Sequence, residues 1–402
     1  MRPLIINRHS LRWTLGEHGR YVPTQPDHRA LLTRTFGGGL EGYRSADFPD
    51  VTICDMTRKG HLERVAKWLI ESRQLTHVVA LHEKDMILAA TLRERYALPG
   101  MTVDETLPFR DKVHMKDGLV AAGYKNVPAY LPVTTAPAHP LPWSGRTVVK
   151  SRWGLGASEV RVVDDPADIA AAIEELHADP ATLEVEQFVD GAMYHCDSVV
   201  YDGEVLFVSV GEYLQPPGKF ASERYQGSVI VGTGPARDLL VEHNAKVLRA
   251  LGLEAAVTHA EFFLTPAGEV VFCEVAARPG GGGLSEIIRF TYGVDIVESA
   301  VHLQLGLTPN LARAPGRDGG SDVYGVLGIF QHVLVEDLRD FLTRQVAGIM
   351  SYDFMRPEVP GRVRHATDYG HKLILRASSR AEFDERLTQI LTLLDDRCSE
   401  RS

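Results

Sequence analysis

Apolar residues in the first hundred positions follow two alternating patterns. Short apolar runs at residues 4–7, 51–55 and 77–81 are typical of buried strands. The segments 61–72 and 84–96 instead carry apolar residues at the spacing of an amphipathic helix. Strands that alternate with helices of these lengths predict a small unit built on a parallel sheet.

The next part of the chain combines one helix with short strands. The helix is predicted at 112–122, where Gly123 follows the last apolar position. Strands are predicted at 147–150, 159–163 and 183–189, and the first two flank a loop that contains glycine.

Longer strands follow, and they pair in two predicted hairpins. Asp202-Gly203 is a strong turn signal in the first of them, and a helix at 237–251 separates the two. The paired strands are 196–201 with 204–210, and 257–264 with 269–275.

These patterns predict an α/β (α+β) protein of three units. We expect an N-terminal α/β domain at residues 1–108, a small domain at 109–190 and a larger domain at 191–402. The part after Val323 is predicted to form a small mixed α/β tail of the larger domain.

Composition narrows the class of protein. Hydrophobic residues make up 44% and charged residues 24%, as in a folded globular chain. With 43 Lys and Arg against 53 Asp and Glu, the net charge of −10 argues against binding nucleic acid or anionic membrane. No stretch approaches the ~18 apolar residues of a membrane span. Four scattered cysteines form no CxxC pair and are typical of reduced thiols, so we expect a cytoplasmic protein.

The sharpest chemical signal lies in the second predicted hairpin. If residues 265–268 form its turn, Glu261 stands opposite Phe272, and Glu261 and Glu274 lie diagonally on one face. Two carboxylates this close repel each other unless a cation lies between them or one is protonated. Few, hard oxygen ligands suit Mg²⁺, which shares its coordination with water and nucleotide phosphate. The alternative is a pair of ordinary strand residues, one of which faces water.

The residues after Glu274 favour a metal site over a pair of ordinary strand residues. Arg278, Pro279 and four glycines follow it, and a glycine backbone can approach a ligand closely. Together with the two carboxylates, this segment indicates a metal–phosphate site.

A second signal is Lys150, which ends an apolar strand and precedes a loop of small residues. Backbone amides of such a loop can fold over phosphate oxygens. It is not a Walker loop, because GxxxxGK[ST] is absent and the loop joins strand to strand. A mobile lid and an ordinary hairpin with a surface lysine both fit the pattern. The residues expected at the phosphates are Lys150, Ser151, Gly154, Gly156, Ala157 and Ser158.

The strand at 183–189 mixes carboxylates with apolar residues. Glu186 could accept a hydrogen bond from the adenine amino group while the backbone of Phe188 and Val189 reads the ring edge. Any half-buried strand shows the same alternation. The GxGxxG match at 37–42 follows no convincing strand, so it does not predict a dinucleotide site.

The order of these motifs resembles that of the ATP-grasp superfamily. The resemblance spans roughly residues 111–305 and implies an ATP-grasp fold, with a Rossmann-like N-terminal domain, a small lid domain and a larger domain. ATP would lie between the last two. The motifs are Asp111-Lys112 with Lys116, Val148-Val149-Lys150 with its loop, Glu186-Gln-Phe-Val-Asp-Gly191, Glu261, and Glu274-Val-Ala-Ala-Arg278-Pro-Gly-Gly.

The resemblance also implies a role for individual residues. Arg278 and Lys150 would be the catalytic residues. Ala276 departs from the family, which commonly has Asn there, and it removes one oxygen ligand of the metal. The implied roles are ATP phosphates for Lys112 and Lys150, adenine for Glu186, Phe188 and Val189, Mg²⁺ for Glu261 and Glu274, and an acyl phosphate for Arg278.

The implied activity is that of a carboxylate–amine ligase. An acid would be activated by ATP as an acyl phosphate and coupled to an amine, with release of ADP and phosphate. The segment 215–228 and the Glu-Val-Ala-Ala-Arg-Pro-Gly-Gly spelling are similar to amino-acid and dipeptide ligases, which favours an amino acid as one substrate. A homodimer is frequent in the family.

The substrate-binding residues are less well marked. Lys219 and Arg224 could hold a substrate carboxylate, and Gly281 lies in the glycine segment beside Arg278. A solvated loop is the alternative for Lys219 and Arg224. Two other functions stay open, namely a carboxylase or formate-dependent transformylase that uses the same activation, and a nucleotide-binding regulator without catalysis.

Overall fold

A computed structural model describes residues 1–34, 46–133, 141–219, 223–311, 322–330, 338–354, 363 and 366–399, except for the side chains of residues 219 and 397–399. The GxGxxG match at 37–42 lies outside the described residues. The described strands form three sheets, of four, eight and four strands.

The first sheet is the predicted parallel unit. Its strand order is β3-β2-β1-β4, and each neighbouring pair is parallel. This order places a crevice at the carboxyl ends of β1 and β4, where chains of this class bind ligands. The elements are β1 (Pro3–Asn7), α1 (Leu11–Leu15), β2 (Ala30–Thr33), β3 (Val51–Ile53), α2 (His61–Arg73), β4 (His77–Ala80), α3 (Met86–Tyr96) and α4 (Val103–Thr106).

The second sheet is small and antiparallel. Its order is β5-β8-β6-β7, with α6 packed against one face through Ile169 and Ala172. Its elements, together with the helix that precedes them, are α5 (Lys112–Ala121), β5 (Tyr130–Pro132), β6 (Thr147–Ser151), β7 (Val160–Val163), α6 (Ile169–Glu175) and β8 (Leu183–Gln187).

The third sheet is antiparallel throughout and has the order β13-β12-β9-β10-β11-β14-β16-β15. The elements are β9 (Ala192–Tyr201), β10 (Glu204–Tyr213), β11 (Tyr225–Ile230), α7 (Pro235–Ala250), β12 (Ala256–Leu264), β13 (Val270–Ala276), α8 (Leu284–Tyr292), α9 (Ile296–Gln304), β14 (Val323–Phe330), α10 (Leu338–Gln345), β15 (Ile349–Phe354), β16 (Tyr369–Ala377) and α11 (Arg380–Ser399).

The predicted mixed α/β tail belongs to this sheet, since its strands β14, β15 and β16 continue it. One detail of the sheet differs from the sequence-based expectation. The end of the polar segment 215–228 forms the start of β11, because its polar residues Gln226 and Ser228 are buried in the sheet and hide the strand pattern.

The two faces of the large sheet have different coverings. One face packs against α5 and α7 through Cys196, Ala260 and Phe262. The other packs against α8, α9 and α1 through Val199 and Val257. Because side chains alternate along a strand, His259 and Glu261 lie on this second face, beyond the part that the helices cover. No helix among the described residues is long and apolar enough to cross a bilayer.

Candidate active site

The second predicted hairpin brings two carboxylates directly opposite each other. Glu261 on β12 pairs with Glu274 on β13, and the next pair is Phe262 with Phe272. Cys273 is therefore an extra residue on β13, which makes a β-bulge. The sequence-based register, with Glu261 opposite Phe272, is wrong by two residues.

Two irregularities of one residue each cause this difference. The Thr265 N–H donates to the Glu269 carbonyl at 2.9 Å, so the turn has three central residues, and Gly268 adopts the left-handed φ of 81° that such a turn requires. The bulge at Cys273 adds the second residue. A shift by one moves a side chain to the other face and a shift by two restores it, so both carboxylates still share a face.

The two carboxylates fit the predicted Mg²⁺ site. Ligand atoms of Glu261, Cys273 and Glu274 all lie within 4.8 Å of one another. The side chains of Glu261 and Glu274 are 13% and 30% exposed, which leaves room for water or phosphate in the coordination of the ion. Burial raises the pKa of the Cys273 thiol, so it stays protonated and is a poor ligand. Ala276 offers no side-chain donor.

Lys112 connects the carboxylate pair to the glycine loop, which we define as residues 151–158. Its Nζ donates to the Gly154 carbonyl at 2.9 Å and lies 3.1 Å from Glu274 Oε2. Burial lowers the pKa of Lys112, but Glu274 and Glu83 more than offset burial, and the pKa is raised. Lys112 is therefore a permanent cation between the loop and the carboxylates.

The glycine loop joins β6 to β7, as the sequence predicts. Gly156 and Ala157 both adopt left-handed backbone, with φ of 60° and 56°. For an alanine this conformation costs on the order of 1–3 kcal/mol, and such strain is concentrated at functional sites. Ser151 and Ser158 hydrogen-bond within the loop, through Trp153 N and Leu155 O respectively.

Below the loop, two lysines share two buried carboxylates. Lys116 Nζ donates to both oxygens of Glu184, at 2.9 and 2.8 Å, and to Glu186 at 2.6 Å. Lys150 Nζ donates to the other Glu186 oxygen at 2.6 Å. Burial raises the pKa of Glu186, but Lys116 and then Lys150 outweigh burial and lower it to about 2. Burial lowers the pKa of Lys150, but Glu186 outweighs it and raises that pKa well above the usual value.

The predicted adenine residues lie at the end of β8, beside this charged group. The Phe188 N–H donates to the Arg146 carbonyl at 3.0 Å, and the Arg146 guanidinium lies 3.8 Å from the centre of the Phe188 ring. The backbone of Val189 follows directly. The adenine contact of Glu186, Phe188 and Val189 stays a prediction.

Arg278 is held by a residue that the sequence analysis did not select. Its guanidinium donates to Glu83 Oε2 at 3.0 and 2.5 Å, while Arg110 donates to Glu83 Oε1 at 2.9 Å. Glu83 follows β4, and Arg110 also donates to the carbonyl of Trp153 in the glycine loop. Burial raises the pKa of Glu83, but Arg278 and Arg110 outweigh burial and lower it. One carboxylate of the N-terminal unit thus fixes Arg278 relative to the loop.

A second unpredicted group fixes Glu261. His195 Nδ1 and His259 Nδ1 lie 2.6 and 2.9 Å from the two oxygens of Asp197. Tyr213 donates to Glu261 Oε1 at 2.6 Å, and His259 Nε2 lies 3.4 Å from the same oxygen. Burial lowers the pKa of His259, but Asp197 outweighs burial and raises it to about 10. This chain of contacts ties down one Glu261 oxygen. A carboxylate held in this way presents its other oxygen in a fixed direction.

This polar group left a signal in the sequence. His195 and Asp197 alternate with apolar residues on β9, and both are fully buried. Polar residues on the inward face of a strand indicate a buried network. The cross-strand partner of Asp197, His259, is 62 residues away, so the sequence could not reveal this pairing.

The structure describes the surroundings of two of the three predicted substrate residues, Arg224 and Gly281. The Arg224 guanidinium pairs with Asp395 on α11, at the surface, and is not grouped with Lys150 or Arg278. The side chain of Lys219 lies outside the described part. Gly281 follows Arg278 in the turn that leads into α8 and lies close to the tail strand β16, with Thr367 as its near neighbour.

Known proteins resemble this chain in sequence and in fold. No family model matches the chain. An L-arginine-specific L-amino acid ligase from Bacillus subtilis is 26% identical over 266 residues, which cover 63% of this chain and 62% of that protein. The matched part of the chain spans about three fifths of the length of this ligase and of a second curated relative.

Solved structures share the whole fold. An L-amino acid ligase from Bacillus licheniformis superposes with a TM-score of 0.72 at 20% identity, covering 99% of this chain and 98% of its own. A carboxyaminoimidazole ribonucleotide synthase from Aspergillus clavatus, complexed with ATP, superposes with a TM-score of 0.71 at 14% identity, covering 98% and 99%. The expected α/β (α+β) ATP-grasp fold is confirmed. In sequence the chain is similar to an amino-acid ligase, and in fold it is similar to ligases of the ATP-grasp type.

Proposed function

We propose that the protein is an ATP-dependent ligase that joins a carboxylic acid to an amine, with an amino acid as at least one substrate. The observation that carries this proposal is the position of Lys112, in contact with the glycine loop and with Glu274. A phosphate chain that lies against this lysine reaches both the loop amides and the paired carboxylates. The similarity to an amino-acid ligase supports the choice of substrate.

In the first step, a carboxylate oxygen of the acid attacks the γ-phosphorus of ATP. The bond from that phosphorus to the β–γ bridging oxygen breaks, and ADP leaves with the electron pair. Lys112, Lys150 and Arg278 face the crowded phosphate oxygens with positive charge that is already in place. Mg²⁺, when held by Glu261 and Glu274, supplies further neutralisation of phosphate charge.

In the second step, the amine nitrogen attacks the carbonyl carbon of the acyl phosphate. The bond between that carbon and the phosphate oxygen breaks, phosphate leaves, and the nitrogen loses a proton to give the amide. Arg278 beside Glu83 is positioned to hold the leaving phosphate. The glycine loop keeps water from the mixed anhydride, which would otherwise hydrolyse.

The test is phosphate release from ATP with Mg²⁺ across amino acids supplied singly and in pairs, with products identified by mass spectrometry. We expect release that requires both an acid and an amine and that stops when the metal is chelated. Glu274→Gln should lower kcat by at least about a hundredfold. Glu269→Gln is the matched control, because this exposed carboxylate lies in the turn of the same hairpin.

Two results would contradict the proposal. Release that depends on bicarbonate or formate, with no amide product, would assign the carboxylase or transformylase chemistry. Tight ATP binding without release for any pair would assign a nucleotide-binding regulator.

A further inference from the structure

Tyr369, at the start of β16, is a largely buried residue whose hydroxyl group makes no hydrogen bond among the described residues and is itself not fully buried. Its side chain is 6% exposed, and its ring packs against Phe330 with centroids 5.8 Å apart. Burial alone raises the pKa of this phenol, since no charged or hydrogen-bonding neighbour contributes. Buried polar groups in folded proteins nearly always have a hydrogen-bond partner. The Tyr369 hydroxyl is only partly shielded, so water or a bound ligand can be its partner.

The hydroxyl points at the turn that follows Arg278. A Cβ built on Gly282 would lie 3.1 Å from Tyr369 Oη, and one built on Gly281 would lie 4.0 Å from the Thr367 methyl group. The two glycines therefore leave space above the phenol that any side chain would fill. The same turn begins at the residue proposed to hold the acyl phosphate.

The glycine loop closes this space from the other side. The Ala366 N–H donates to the Gly156 carbonyl at 3.0 Å, and Ala157 packs against the cluster that includes Phe330 and Tyr369. Residues 366–369, which we call the tail segment, thus contact both the loop and the turn. Three distant parts of the chain therefore meet around the phenol of Tyr369.

We propose that Tyr369 is a substrate-binding residue whose hydroxyl group hydrogen-bonds a polar group of the acid substrate. This inference rests on the proposed function. The reacting carboxylate lies at Arg278 and the paired glutamates, so the remainder of the acid extends along the glycine turn toward the phenol. A tyrosine hydroxyl can donate or accept a hydrogen bond. It can therefore bind an acid whose polar group reaches Tyr369 when the carboxylate lies at Arg278.

A hydrogen bond between Tyr369 and the acid makes the site selective among acids. A site built to hydrogen-bond one group rejects analogues that lack the group, because its own polar atom is then left buried and unpaired. The tail segment therefore selects among acids. Because the tail segment also contacts Gly156, binding of the acid at Tyr369 is linked to the position of the glycine loop.

The test is Tyr369→Phe, with kcat/KM measured for the best acid and for analogues that each lack one polar group, at saturating ATP and amine. We expect about a tenfold loss for the acid with the recognised group, no loss for the analogue without it, and an unchanged KM for ATP. The midpoint of thermal unfolding should not fall, because the lost hydroxyl has no partner among the described residues.

Tyr352→Phe is the matched control in the same part of the chain. Its hydroxyl lies 2.6 Å from His371 Nδ1, so this variant should lose stability and keep its discrimination among acids. The inference is overturned if Tyr369→Phe leaves kcat/KM unchanged for every acid. It is also overturned if the substitution lowers kcat/KM for all acids and for ATP by the same factor, or if it lowers the midpoint of thermal unfolding. If the wild type turns over no pair, the proposed function fails. In that case, calorimetric titration of the same acids into the wild type and into Tyr369→Phe still tests the role of Tyr369, because it compares the affinities of the two proteins for each acid.

Discussion

At the scale of single residues, the site is defined by pairing of buried charges. Each buried cation of the site has a carboxylate within contact distance, and three of these carboxylates hold two cations each, namely Glu83, Glu184 and Glu186. Burial of one such charge without its partner would cost several kcal/mol. The cations can therefore be held rigidly before any phosphate arrives, which is what electrostatic stabilisation of a transition state requires.

Glu83 provides the clearest test of this pairing. Glu83→Gln would leave Arg278 and Arg110 without their shared negative charge in a buried position. We expect a loss of about 3 kcal/mol in the free energy of unfolding, measured by urea denaturation. We also expect at least about a tenfold loss in kcat, since Arg278 would no longer be fixed.

The control for this variant is another glutamate of the N-terminal unit. Glu17 pairs with Arg12 at 2.9 Å, but both side chains are well exposed. Glu17→Gln should change stability by no more than about 0.5 kcal/mol. Equal effects of the two substitutions would contradict the assigned role of Glu83.

Sequence motifs mark some residues of the candidate site, whereas other residues are brought into it only by long-range pairing. Lys112, Lys150 and Arg278 stand in ordered motifs, and the structure places each beside a carboxylate. Glu83 and Tyr213 stand in no motif. Their partners are 195 and 48 positions away, and sequence spacing carries no information about such contacts.

At the scale of elements, local patterns predicted most strands and helices but not their register. The first hairpin and the two predicted helices of the N-terminal unit, α2 and α3, lie where the periodicity places them. The short β2 was missed because four residues show too little alternation. The register of β12 with β13 depends on a bulge, which the sequence pattern does not reveal.

The turn after Arg278 packs closely against Asp197 and His259. A Cβ on Gly280 would lie 2.8 Å from Asp197 Oδ1 and 2.9 Å from His259 Nδ1. Gly280→Ala should therefore push the turn away from the sheet and displace Arg278. We expect a loss of at least about tenfold in kcat, with about 1–3 kcal/mol of destabilisation.

Gly232→Ala is the matched control, because a Cβ at Gly232 meets nothing within 4 Å. Steady-state kinetics and thermal unfolding of both variants separate steric displacement from a general effect of glycine loss. Wild-type turnover in Gly280→Ala would show that close contact between the turn and the Asp197 group is dispensable.

At the scale of the whole molecule, the site lies where all three sheets contribute. Glu83 comes from the parallel unit, the glycine loop from the small sheet, and the paired glutamates from the large sheet. The order of motifs predicted this architecture through the family resemblance. The meeting of the tail segment with the glycine loop could not be predicted, because no motif marks the tail segment.

The central claim is that the acid is activated through its own oxygen. The most direct measurement uses an acid labelled with ¹⁸O in its carboxylate, turned over with ATP and amine, followed by mass spectrometry of the phosphate. We expect one ¹⁸O atom in each phosphate formed and the other in the amide product. Unlabelled phosphate would mean that its fourth oxygen came from water, which would contradict an acyl phosphate and the ligase mechanism with it.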